Sequence, residues 1–148
     1  MTTTPRRFAE KTKVPSAQTR MEIERLLERH KAKQYLTGVD YEHGTARVQF
    51  NIHSRIVRFT VALPDQKKLG GGDRYAQAER QKWRALMLVI KAKLESVENE
   101  IATFEEEFLA HIVMPNDQTV ADVVLPLVAF AYERGTMPPR LLLTEGDR

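Results

Sequence analysis

Two stretches of strict alternation separated by two residues constrain the centre of this chain more than any other feature. In 45–52, Ala46, Val48, Phe50 and Ile52 share one side, and Arg47, Gln49 and Asn51 share the other. In 55–63, Val57, Phe59, Val61 and Leu63 fall on one side in the same way. Side chains alternate across a strand, so a two-residue loop at His53-Ser54 pairs Phe50 with Val57, Val48 with Phe59 and Ala46 with Val61. It also sets Gln49 opposite Arg58 and Arg47 opposite Thr60. A slip of one residue would turn every apolar side chain to the wrong face, so the register is strongly specified. Residues 33–41 read as a preceding strand, with Glu42-His43-Gly44 as its turn.

Helical periodicity flanks this sheet. Pro15-Ser16 opens a helix with Ser16 as N-cap, and Ile23, Leu26, Leu27 and His30 form its apolar stripe, with His30 at the edge. Pro64 ends the last strand, and Asp65–Asp73, with Gly70-Gly71-Gly72, reads as a flexible loop. From Arg74 to Met114 there is neither Gly nor Pro. Trp83, Leu86, Met87, Ile90, Leu94, Val97 and Ile101 make a sustained helical seam. Leu88 and Val89, with Ala85 and Ala92, form a second apolar side, which calls for another helix or a second subunit. Thr103-Phe104-Glu105-Glu106 matches a capping box and starts a further helix. Pro115-Asn116-Asp117 is a turn, with Thr119 or Asp117 capping a last apolar helix, 120–134, that ends at Gly135 and that Pro126 should kink or split.

The expected fold class is α+β: an N-terminal helix, a three-stranded antiparallel sheet, a long central helix, and two or more C-terminal helices packed on it. Residues 1–14 read as a basic flexible tail. Residues 15–135 read as one domain, with helix and sheet in 15–64, a Gly-rich loop in 65–73 and a helical part in 74–135. Residues 136–148 read as a Pro/Leu tail. Two apolar helices and Leu141-Leu142-Leu143 exceed what a small sheet can cover, so homo-oligomerisation through helices is expected.

Charge is unevenly distributed. Residues 1–93 carry 20 Lys/Arg against 9 Asp/Glu, net +11, whereas 94–148 carry 3 against 11, net −8. Such asymmetry points to one side that faces a polyanion and another that avoids it or meets a basic partner. The chain has no cysteine. That removes disulfides, thiolate chemistry and Cys-based zinc sites, and it suits a reducing cytosol. No apolar run is long enough to span a bilayer and the N-terminus lacks an apolar signal core, so a cytoplasmic protein without membrane contact is expected.

Candidate phosphate-binding residues follow from the hairpin face and the helix flank: Arg47, Gln49, Arg58 and Thr60 on the sheet, and Arg80, Lys82 and Arg84 on the central helix. Guanidinium groups among amides and a hydroxyl can grip a phosphate. Glu105, Glu106 and Glu107 are the candidate acidic protein interface, although a capping box and a helix dipole already favour glutamate there. Neither G-x-x-x-x-G-K-[ST] nor G-x-G-x-x-G is present, so the glycines do not read as a phosphate loop. Glu107 and His111 stand at helical i, i+4 spacing, but no third ligand completes a metal site. Neither catalytic residues nor cofactors are expected, and no motif fixes an activity.

The stretches KTKVPSAQTRMEIERLLERH, RIVRFTVALP and ERQKWRALMLVIKAKLESVENEIATFEEEFLAHIVMP resemble a family of small phage- and prophage-encoded proteins without an assigned function. The resemblance covers roughly residues 8–140, and it implies a phage accessory protein acting in the bacterial cytoplasm. It implies no catalytic residue. The order helix, three strands, helix is also similar to that of the double-stranded RNA-binding domain. That family opens its second helix with Lys-Lys-x-Ala-Lys, whereas 74–82 here is basic without matching.

These observations favour a non-catalytic binder of a phosphate-bearing ligand, nucleic acid or nucleotide, serving replication or counter-defence. The alternative is an inhibitor that meets a basic host protein through its acidic helical surface.

Overall fold

The computed structural model describes the backbone of residues 5–139 and the side chains of residues 16–139. It is an α+β fold: helix α1 (Pro5–Arg29), strands β1 (Gln34–Asp40), β2 (Thr45–Ile52) and β3 (Arg55–Ala62), the short α2 (Gln66–Leu69), the long α3 (Gly72–Glu98), α4 (Phe104–Phe108), a 3-10 turn at Leu109–His111, and α5 (Val120–Arg134).

The strands form one antiparallel meander in the order β1-β2-β3. Its register is the expected one, with Phe50 opposite Val57, Val48 opposite Phe59 and Gln49 opposite Arg58. His53 and Ser54 both take positive φ, 51° and 59°. That is the primed turn a two-residue hairpin needs, adopted here without glycine.

One sheet face meets the helices. Ala46, Val48, Phe50, Ile52, Val57 and Phe59 pack with Ile23, Leu26 and Leu27 of α1, with Trp83, Leu86, Met87, Ile90 and Leu94 of α3, and with Phe104 and Phe108 of α4. Each such burial is worth about 1.5–3 kcal/mol, so this cluster is the main stabilising feature of the fold. Helices α1 and α3 run parallel. Ser16 and Arg20 lie by Gly72–Trp83, Arg25 and Arg29 by Met87 and Lys91, and Arg29–Lys31 by Leu94–Glu98.

Several boundaries differ from the sequence reading. The first helix begins at Pro5, so Ser16 is not its N-cap, and Pro15 lies inside it at the loss of one backbone hydrogen bond. Residues 5–14, read as tail, are helical in backbone; residues 1–4 and 140–148 lie outside the described residues. The expected loop at 65–73 contains α2. Asp65 caps it by accepting from the Lys67 N–H, and Gly70 closes it in the left-handed region at φ 73°. Ile101 does not continue the α3 seam. The helix stops at Glu98 and Ile101 is 80% exposed. Pro126 does not split the last helix, which continues through it as one element capped by a Thr119–Asp122 capping box.

Of the C-terminal helices, α4 packs on α3, while α5 is held chiefly by the 3-10 turn and has no buried residue. On the outward side of α3, Leu88 and Val89 are 50% and 45% exposed. Among the described residues, no helix is long and apolar enough to cross a membrane.

Candidate functional site

Strand alternation carries Arg47, Gln49, Arg58 and Thr60 to the sheet face that looks away from α1 and α3. Arg58 is engaged there by its own chain. Its Nε donates to Gln49 Oε1 at 2.9 Å, Nη1 to the Asp117 carbonyl at 2.9 Å, and Nη2 to Asp117 Oδ1 at 2.6 Å. The side chain is only 13% exposed. This guanidinium ties the 115–119 turn to β3, and its hydrogen bonds and charge hold the Asp117 carboxyl below its ordinary pKa. Arg47 and Thr60 are exposed, and among the described residues neither side chain has a hydrogen-bond partner. Asn51, on the same face, has a buried Oδ1 without a donor among the described residues. It lies in a shallow hollow of about 230 Å³ with Leu36 and Ile56.

Arg80, Lys82 and Arg84 do not join this face. Helix α3 packs on the opposite side of the sheet, so the seven candidate phosphate ligands fall into two groups with the core between them. The three glutamates each have a partner within the chain. Glu105 pairs with Arg55 at 2.7 Å. Glu106 closes the capping box with Thr103. Glu107 accepts from Lys93 at 3.2 Å, and its pKa is lowered by a hydrogen bond from Ser96 and then by Lys93. His111 stacks on Phe59 with ring centroids 4.0 Å apart, and burial lowers its pKa.

Local sequence patterns gave no sign of a further concavity, because it exists only once α1 and α3 lie side by side. A cleft of about 530 Å³ opens between them, lined by Ser16, Ala17 and Arg20 of α1, Tyr41 after β1, Gln66 of α2, and Gly72, Tyr75, Ala76, Glu79 and Trp83 of α3. That volume is in the range of small-ligand sites.

Three aromatic rings and several donors converge on the cleft. The Arg20 guanidinium lies 5.2 Å from the centroid of the Trp83 ring. It donates only to Thr37, at 3.2–3.3 Å through Nε and Nη2, leaving Nη1 without an acceptor among the described residues. The Trp83 Nε1–H is buried without an acceptor among the described residues, and the whole residue is 1% exposed. The N-terminus of α3 opens onto the cleft at Gly72, and its N-cap Gly71 offers no side chain to the first-turn amides.

Glu79 is the one carboxylate among the lining residues, and it accepts from Tyr41 Oη at 3.0 Å. Partial desolvation of the hydroxyl and that bond push the Tyr41 pKa up to about 12, so the phenol keeps its proton. Tyr75 is likewise raised by burial. Donors therefore outnumber free acceptors around an aromatic wall. Only the lone tryptophan could have drawn attention to this place from sequence.

No known protein-family model matches the chain, and no curated protein or solved structure does either.

Proposed function

We propose that this protein is a non-catalytic binder of a nucleotide, a small ring-bearing phosphate compound, in the cleft between α1 and α3. One observation carries the reading. Arg20, Trp83 and the uncapped start of α3 line one aromatic-walled cleft, Arg20 Nη1 has no acceptor among the described residues, and the cleft's single carboxylate already accepts from Tyr41. A base stacks on the aromatic wall, and phosphate oxygens take the Arg20 fork and the α3 amides. Trp83 Nε1 is closed to water and has no acceptor among the described residues. An unmet buried donor costs roughly 1–3 kcal/mol, and a matching acceptor recovers it. In the phage setting that the sequence resemblance implies, such a protein acts by holding a host nucleotide out of circulation.

The chain has one tryptophan, so its emission reports the cleft directly. Titration with nucleoside mono-, di- and triphosphates and cyclic nucleotides is expected to change Trp83 fluorescence saturably and raise the melting temperature. Silence in both readouts at millimolar nucleotide rejects the reading. Binding of duplex RNA or DNA that falls steeply with salt and is indifferent to Arg20→Met moves the ligand to the nucleic-acid class.

A further inference from the structure

We infer that the cleft selects a guanine nucleotide, and that Glu79 is the residue that reads the base. The inference rests on the nucleotide reading of the cleft and adds the identity of the ring.

It starts from a cation and a carboxylate that share the cleft without pairing. Arg20 and Glu79 both line it. Arg20 donates to Thr37 and overlies the Trp83 ring, whereas Glu79 Oε1 accepts from Tyr41 Oη at 3.0 Å. Among the described residues no ion pair joins Glu79 to a cation. A carboxylate repels phosphate, so in an anion-binding cleft it weakens binding unless the ligand brings N–H donors to it. The cleft therefore complements a molecule with one negative end and one end that presents donors.

Position along α3 puts Glu79 beside the ring site. Tyr75, Glu79 and Trp83 follow at intervals of four residues, so they share one face of the helix, each about 6 Å along the axis from the next. The exposed Tyr41 side chain points its hydroxyl at Glu79. A base stacked on the Tyr41 ring brings its hydrogen-bonding edge to the same carboxylate, with the sugar and phosphate on the far side of the ring.

The donor pattern then selects the base. A carboxylate only accepts, and its two oxygens offer about four lone-pair sites. Tyr41 occupies one of them, which leaves both oxygens able to take a pair of parallel N–H groups. Guanine carries two such donors side by side, N1–H and the 2-amino group. Adenine and cytosine each set a ring-nitrogen acceptor next to the amino group, and uracil flanks its one N–H with two carbonyls. Each of these edges turns lone pairs on Glu79. Tyr41 cannot relieve the clash, because its one proton is already donated to the carboxylate.

Titration of the full chain with GMP, IMP, AMP and UMP, read by Trp83 fluorescence, tests this. GMP is expected to bind tightest. IMP keeps N1–H but lacks the 2-amino group, and is expected to bind about tenfold more weakly, with AMP and UMP weaker still. Glu79→Gln retains an acceptor for Tyr41 and replaces the other oxygen by a donor, a pattern that matches adenine. The variant is expected to lose about tenfold or more for GMP and to gain for AMP, inverting the ranking. A residue that only shaped the cleft would weaken all four nucleotides alike. Equal binding of the four by the unmodified chain overturns the inference and leaves the nucleotide reading standing. So does a Glu79→Gln variant that keeps the original ranking, or discrimination between ribose and deoxyribose without discrimination among bases. The ranking of the unmodified chain needs no variant, so it decides the matter even if Glu79→Gln fails to fold. Silence with all four nucleotides removes the nucleotide reading and this inference with it.

Discussion

On the outer face of the sheet, Arg58 donates from all three guanidinium nitrogens at 2.6–2.9 Å, and one acceptor is a carboxylate. In the cleft on the other side of the core, Arg20 makes contacts of 3.2–3.3 Å to a neutral threonine and keeps one nitrogen without an acceptor. The charge on Arg58 is neutralised by its own fold, while that on Arg20 is shared with an aromatic ring. Counting cations along a sequence treats these residues as equals. Their partners separate a structural clamp from a group that can still receive a ligand.

The largest effect that tests this contrast is on stability. Arg58→Met removes three hydrogen bonds and leaves Asp117 and Gln49 unpaired. It is expected to cost about 2–3 kcal/mol in urea unfolding, with nucleotide binding unchanged. A stable variant that loses ligand would reverse the assignment of the two arginines. Arg20→Met is expected to weaken nucleotide affinity about tenfold, close to 1.4 kcal/mol, with little change in the unfolding midpoint.

At the hairpin tip, Ser54→Gly relieves a positive φ at a non-glycine residue and is expected to stabilise the sheet by about 1 kcal/mol, read from thermal unfolding. His111 has a lowered pKa in the fold, so the unfolded chain binds its proton first as pH falls. Its contribution is complete above the ordinary histidine value and declines as pH drops below it. His111→Phe, keeping the stack on Phe59, is expected to flatten that part of the stability–pH curve. Glu105→Gln, which breaks an exposed pair with Arg55, is expected to change stability by less than about 0.5 kcal/mol, within reach of careful denaturant titration.

The meander was legible because its rule is local. Alternation and a two-residue turn determine which residues face each other, and nothing distant competes. The inward seam of α3 and the Thr103 cap were legible for the same reason. Pro15 misled because proline weakens a helix without always ending one, and here the backbone stays helical on both sides. Ile101 kept helical spacing past the end of α3, but spacing does not register the chain reversal at Asn99 and Glu100, where Glu100 takes a positive φ. The Arg58–Asp117 clamp joins residues 59 apart in sequence, and the cleft needs two helices separated by the whole sheet. No periodicity encodes either contact. The glutamate run shows the same limit: a capping pattern explained Glu106, but Arg55 and Lys93 reached Glu105 and Glu107 from elsewhere.

The parallel seating of α1 and α3 also has a consequence for how the molecule assembles. Every strand pairing joins neighbours in sequence through turns of two or four residues, so the meander closes with little loop entropy. Arg20 and Trp83 meet only after the chain has passed through all three strands. The α1–α3 contact therefore carries a larger loop-closure cost than any strand pairing, and Trp83, which Arg20 of α1 overlies, is placed to report when it forms.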